Sequence, residues 1–408
     1  MSVLLFATLD TKGVEAAFVR ARLRELGVEV RLADCGTLLP PQVEPDIPRE
    51  EVLAAAGTTL EALRASGDRA NAVQAAARGA RALSLAWHAR GELSGVLGLG
   101  GSAGTTIGTE AMRALPIGVP KLMVSTLASG QVRSFVGDKD IAMLNSVVDV
   151  LGINRVSRRV LGEAAHAMAG MVRFARDESA AADKPIVAAT MFGVTTPCVQ
   201  RAKDVLEAAG CEVLVFHATG VGGMAMESLV RDGLVQGVLD ITTTELADEL
   251  VGGFLSAGPD RMSAAAQAGV PTVASVGATD MVNFHALSSV PEAFRGRRLH
   301  RHNDHVTLMR TTPEENRRIG AEIAAKLAAS RGPAQLFFPL RGVSALDREG
   351  QAFDDPAARS ALLAGLRSQR PPIEVHELDL HINDPAFAEA CARSLLSLMK
   401  LPHEPVAR

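Results

Sequence analysis

Tyrosine is absent from this chain of 408 residues, tryptophan occurs once, and aromatic residues make up only 3%. A surface for single-stranded nucleic acid stacks bases on aromatic rings, so the composition excludes that class. Basic excess is lacking too: 42 lysines and arginines stand against 46 aspartates and glutamates, a net charge of −4. With both signs interspersed, no field draws in a phosphate backbone. The four cysteines (Cys35, Cys198, Cys211 and Cys391) form no CxxC pair, which excludes a disulfide framework and a zinc-finger spacing. No apolar run reaches the length of a membrane span, and the first residues carry neither a basic region nor a cleavage site. These absences predict a soluble, cytoplasmic protein with no nucleic-acid and no membrane partner. An anionic ligand must be met by backbone N–H groups and single basic residues.

What is present is apolar and small. Hydrophobic residues make up 47%, and alanine and glycine abound, which suits closely packed α/β layers. Residues 3–8 read as a buried strand, residues 14–26 as a helix and residues 28–33 as a second strand, a βαβ start that predicts a parallel sheet. Helical patterns follow over residues 49–63 and 69–90, then a strand ending near Leu99 and another over residues 121–125. A long helix covers residues 155–176, and residues 177–185 read as a linker. Thereafter the chain starts again: Ala7-Thr8 and Gly27-Val28-Glu29-Val30 are echoed by Ala189-Thr190 and Gly210-Cys211-Glu212-Val213. The expectation is an α/β fold of two Rossmann-like subdomains with mainly parallel sheets and a cleft between them, one over residues 1–180 and one over 181–408. Small side chains on the alanine- and glycine-rich helices also suit a homo-oligomer.

The sharpest local signal is Gly100-Gly101-Ser102-Ala103-Gly104, between a strand end and a helix start. Glycines admit close backbone approach, free N–H groups point outward and the helix dipole favours negative charge. The spacing is neither that of a P-loop nor that of the dinucleotide fingerprint, and a tight βα connection reads equally well. It also fits GxSxG, which would make Ser102 a nucleophile, but no oxyanion-hole motif precedes it. Asp10, Thr11 and Lys12 follow the first strand, at the edge where open α/β sheets bind ligands; Asp10 reads equally as a helix cap. Thr37, Ser125 and Thr126 follow other strands, and Arg69 opens a helix.

In the second half His217, Asp240 and Asp280 sit at strand ends, His217 before a second glycine-rich turn (residues 220–223). With His285 and His302 they form a candidate acid–base set, against a reading as caps and satisfied core groups. His300, His302 and His305 do not share one face of an extended segment, so no metal site is expected there. Arg298, Arg301 and His302 suit anion recognition, and Arg341 to Ser344 with Asp347 forms another strand-end loop.

Three segments together resemble one family: Ala7 to Gly13, Gly98 to Thr105, and Leu115 to Gly130. Ser146 to Asp149, His302-Asn303 and Val306 to Thr312 extend the resemblance over nearly the whole chain. It is an uncharacterised protein family whose plant member is the tomato mosaic virus resistance protein, which carries an additional TIM-barrel domain. The resemblance implies two Rossmann-like subdomains, the first binding ATP, carried with Mg²⁺. It assigns nucleotide contacts to Asp10, Thr11, Lys12, Thr37, Arg69, Gly101, Ser102, Ala103 and Gly104. Two departures stand out: Ala103 replaces a glycine of the family pattern, and Asp304-His305 stands where a proline is expected.

Three readings follow. The first is an ATP-binding enzyme acting on a small acidic or acyl substrate in the interdomain cleft, with His217, Asp240, Asp280, His302 and Arg341 facing it. The second is a non-catalytic, nucleotide-regulated module working with a separate TIM-barrel partner. The third is a serine hydrolase using Ser102.

Overall fold

A computed structural model describes residues 1–130, 132–174, 184–370 and 373–401. The expected linker falls largely outside the described residues. The chain divides into two compact units, Met1–Ala181 and Ala182–Arg408, and both are α/β.

Unit 1 is built on five strands: β1 (Ser2–Ala7), β2 (Val30–Asp34), β3 (Leu93–Gly100), β4 (Lys121–Ser125) and β5 (Ala142–Asn145). They are all parallel, in the order β2-β1-β3-β4-β5. Strand alternation divides the apolar run of β1 between two cores. Val3, Leu5 and Ala7 pack with helices Leu9–Glu25 and Arg155–Phe174. Leu4 and Phe6 pack with helices Arg69–Ala89 and Ser102–Arg113. A parallel sheet buried on both faces is what continuous apolar strands require. The helix expected over residues 49–63 is instead two, Arg49–Ala55 and Leu60–Ser66. Gly57 takes a positive φ of 72° between them, and Thr59 caps the second helix by accepting the Ala62 N–H at 3.2 Å.

Unit 2 repeats the pattern and extends it. Its strands β6 (Ile186–Met191), β7 (Glu212–His217), β8 (Gly237–Thr242), β9 (Thr272–Gly277), β13 (Ala334–Pro339) and β14 (Val375–Leu378) are parallel, in the order β7-β6-β8-β9-β13-β14. In both units the second strand lies outside the first and later strands add on the other side. A three-stranded antiparallel sheet is inserted after β9: β10 (Met281–Phe284), β12 (Thr307–Arg310) and β11 (Leu299–Arg301). The sequence pattern gives no sign of it, because Asn283, Thr307 and Arg310 are buried polar residues that erase the apolar–polar alternation marking a strand. Among the described residues no helix is long and apolar enough to cross a membrane.

Candidate functional site

β1 and β3 run side by side, with Phe6 opposite Gly98. β2 lies beyond β1, and β4 lies beyond β3. Connections therefore leave in opposite directions between β1 and β3, which opens a crevice at their carboxyl ends. The glycine-rich turn enters it from β3. Gly100 has a φ of 151°, and a Cβ on Gly104 would stand 2.8 Å from the Leu99 carbonyl oxygen. These two positions require glycine; Ala103 lies inside helix Ser102–Arg113 without a positive φ and does not. The first intrahelical bond runs from the Thr105 N–H to the Gly101 carbonyl at 2.8 Å. The N–H groups of Ser102, Ala103 and Gly104 have no partner among the described residues, as a helix start dictates. Ser125 at the end of β4 braces the turn, 2.7 Å from the Thr105 hydroxyl and accepting the Leu127 N–H at 2.9 Å.

The first turn of helix Leu9–Glu25, directly after β1, starts at the same crevice. The Thr11 hydroxyl stands 2.9 Å from that of Thr8. The Lys12 ammonium donates to the Val150 carbonyl, and Lys12 leaves helical geometry at φ −127°, ψ 19°. Asp10 is buried, and its carboxylate accepts the N–H groups of Leu38 at 3.0 Å and Leu39 at 3.4 Å. Through this one oxygen it clamps the loop after β2. Thr37 and Arg69 line a neighbouring cleft of about 290 Å³ with Arg64 and Asp68. Asp68 caps the helix that Arg69 opens, accepting the Ala70 N–H at 2.9 Å. The Ser102 carbonyl accepts the Thr106 hydroxyl at 3.0 Å, and among the described residues no histidine is hydrogen-bonded to the Ser102 hydroxyl, the pairing a hydrolase nucleophile uses.

The acid–base set expected in unit 2 is not brought together. Asp240 is buried, and both its oxygens take up the Arg261 guanidinium at 2.6 and 2.7 Å. Arg261, itself fully buried, also binds Glu245 at 2.6 Å and Glu227 at 3.4 Å. Asp280 is buried beneath Ser344, whose hydroxyl donates to it at 2.8 Å, while its other oxygen has no partner. His217 is exposed at the end of β7, edge-on to Phe192. His302 is exposed in the β11–β12 turn, its N–H bonded to the Val306 carbonyl. His285 stacks on Phe254. Arg341 is spent on Asp379 at 2.6 and 2.8 Å. The sequence reading missed Arg261, which lies in no motif; only the unexplained burial of Asp240 and Glu245 betrays it. Among the described residues no group of three or more His, Cys, Asp or Glu side chains is placed for a metal.

Residues 1–177 match the model of the uncharacterised protein family UPF0261, N-terminal domain, and residues 184–399 match its C-terminal domain. A UPF0261 protein of Clostridium tetani is 46% identical over 98% of this chain and 99% of its own length. One of Rhizobium meliloti is 49% identical over 95% of this chain and 96% of its own. The ToMV resistance protein Tm-1(GCR237) of Solanum lycopersicum is 49% identical over 75% of this chain, a match spanning 42% of that protein. The chain belongs to the UPF0261 family.

Proposed function

We propose that, in this UPF0261 family member, unit 1 holds ATP, with phosphate oxygens on the N–H groups of Ser102, Ala103 and Gly104 and Lys12 balancing their charge. The observation that carries this reading is the pairing of β1 with β3, which sets the starts of helices Leu9–Glu25 and Ser102–Arg113 at one crevice. Among the described residues, the second offers three unpaired N–H groups at the positive end of its helix, and the first an ammonium whose one hydrogen bond is to the Val150 carbonyl. The Thr11 hydroxyl lies in the same helix turn as Lys12, and Thr37 and Arg69 in the adjoining cleft are assigned to the outer part of the ligand.

One observation favours a held ligand over a substrate, and hence a nucleotide-regulated module over an enzyme acting on a small acid. Phosphoryl transfer uses carboxylates to hold Mg²⁺ or orient the nucleophile. The buried carboxylates beside the crevice already hold partners: Asp10, through one oxygen, the Leu38 and Leu39 N–H groups, Asp34 the Arg49 guanidinium at 2.6 Å, and Glu15 the Gly152 N–H. Such a module can work with a TIM-barrel partner or as an oligomer.

The test is thermal unfolding with and without ATP–Mg²⁺, on wild type and Lys12→Ala. At ~100 times the dissociation constant, ATP should add about 2.7 kcal/mol to the wild type, and much less to the variant. No γ-phosphate should be released. An unfolding temperature unmoved by ATP in the wild type overturns the nucleotide reading; γ-phosphate release at a steady rate overturns the non-catalytic one.

A further inference from the structure

A second cavity, of about 530 Å³, lies in unit 2 where β13 and β14 end. This is again the carboxyl edge of a parallel sheet, and the volume falls within the range of small-molecule sites. Its wall is the loop of residues 340–355, which carries no helix or strand. Loops beyond roughly 12–15 residues without secondary structure are uncommon and usually functional.

This loop is tied down at Asp347. The buried Asp347 carboxylate accepts the Val343 N–H at 3.1 Å and pairs with Arg359 at 2.8 Å and Arg310 at 3.3 Å. Gly342, at φ 136°, lets the loop close on His381; a Cβ there would stand 2.8 Å from the imidazole. The ring is fully used, its Nδ1 accepting the Asn383 N–H at 3.1 Å and its Nε2 facing the Ser344 carbonyl at 2.9 Å. His381 is thus a neutral wall and not a base.

What the cavity leaves unspent is charge of both signs. The side chains of Arg348 and Glu349, both exposed, line the cavity and make no hydrogen bond or ion pair among the described residues. Arg359 forms both its ion pairs through Nη1 alone, to Asp347 at 2.8 Å and Asp354 at 3.0 Å, so Nε and Nη2 remain. Asp384 accepts the His381 N–H at 2.7 Å through one oxygen, and the other remains. A simple anion would satisfy Arg348 and Arg359 but meet Glu349 and Asp384 as repulsion. A simple cation has the converse difficulty.

We propose that this cavity binds a small zwitterion, its carboxylate on Arg348 and Arg359 and its ammonium on Glu349 and Asp384, as an amino acid or amino-acid-like compound would offer. The site is independent of the nucleotide reading, and either can fail without the other.

The experiment is calorimetric titration of the full chain with the proteinogenic L-amino acids, followed, for any that binds, by its deaminated acid and its decarboxylated amine. Saturable binding is expected for at least one amino acid, with each single-charge analogue weaker by about tenfold or more, the worth of one charge-assisted hydrogen bond. Arg348→Ala, at an exposed position, should keep the wild-type unfolding temperature and weaken the amino acid about tenfold. Glu349→Gln should narrow its preference over the deaminated acid. Absence of saturation by every amino acid up to millimolar concentration, equal binding of the analogues, or unchanged affinity in Arg348→Ala each overturns the proposal. ATP titrated into the same variant separates this outcome from a failure of unit 1.

Discussion

The Glu245 carboxylate accepts the Gly220 N–H at 2.7 Å and, through the same oxygen, the Gly223 N–H at 3.1 Å. A Cβ on Gly223 would stand 2.2 Å from that carboxylate, so the glycine is there to admit it. Helix Val221–Arg231 therefore begins on an anion supplied by the protein itself, as the helix dipole favours. Unit 1 presents a glycine-rich helix start of the same kind with three N–H groups unpaired. The two turns look alike in sequence and have opposite standing: one is filled, the other is free for a ligand.

The network around Glu245 is held by one cation. Arg261 sits between Asp240, Glu245 and Glu227, all buried. Arg261→Met removes the only guanidinium in that cluster and leaves the carboxylates uncompensated. The expected cost is about 3–5 kcal/mol, read from the denaturant midpoint. A loss below ~1 kcal/mol would mean that the cluster holds protons in place of the cation.

Two other buried acids make stability depend on pH. Burial pushes Asp248 from 3.8 up to about 7, against hydrogen bonds from Asn283 and Leu255. Burial and the nearby Asp347 charge push Asp280 likewise to about 7, opposed by Arg310. The folded state then binds these protons more tightly than the unfolded chain does. Their contribution is complete below 3.8 and is lost as pH rises through about 7. Asp248→Asn should flatten the fall in unfolding temperature between about pH 4 and 7 relative to wild type. The substitution has a ready partner: Asn283 Oδ1 is buried and unpartnered, and can accept the new amide once the Asn283 amide turns over. Superimposable pH profiles would show that Asp248 does not titrate in this window.

Much of this architecture was legible in the chain. The parallel strands announced themselves because apolar runs such as Val3 to Ala7 and Val96 to Leu99 are buried on both faces and end in glycine or polar turns. The loops at the β1/β3 crevice were legible too, since Gly100 and Gly104 mark a backbone geometry that other residues resist. What could not be read was the use of each charge. Asp10, Asp240 and Lys12 all stand near strand ends and look alike in sequence. Asp10 is taken up by the backbone of Leu38 and Leu39, and Asp240 by Arg261, far along the chain. Pairings of that separation leave no local pattern. Arg348, Glu349 and Arg359 were missed for the converse reason: charged residues in a loop or on a helix ordinarily read as solvated surface, and only the course of residues 340–355 against helix Pro356–Leu366 gathers them around one cavity.

The role of Ala103 can be tested against that of Gly104 in one pair of substitutions. Ala103 lies in the first turn of its helix with its Cβ on an unstrained backbone. Restoring the glycine of the family pattern, Ala103→Gly, removes a methyl and loosens the helix start, costing up to about 1 kcal/mol. The three N–H groups stay where they are, so the stabilisation by ATP should match wild type. Gly104→Ala drives a Cβ to 2.8 Å from the Leu99 carbonyl, at the point where Gly100 also packs against Gly104. The helix must then retreat from β3, at a cost of about 1–3 kcal/mol, and the N–H groups move with it. ATP should no longer raise the unfolding temperature of that variant even where it remains folded. If Ala103→Gly strengthened ATP binding instead, the methyl would be standing in the path of the phosphate, and the ligand would approach the turn from the side of Ala103 and not along the helix axis.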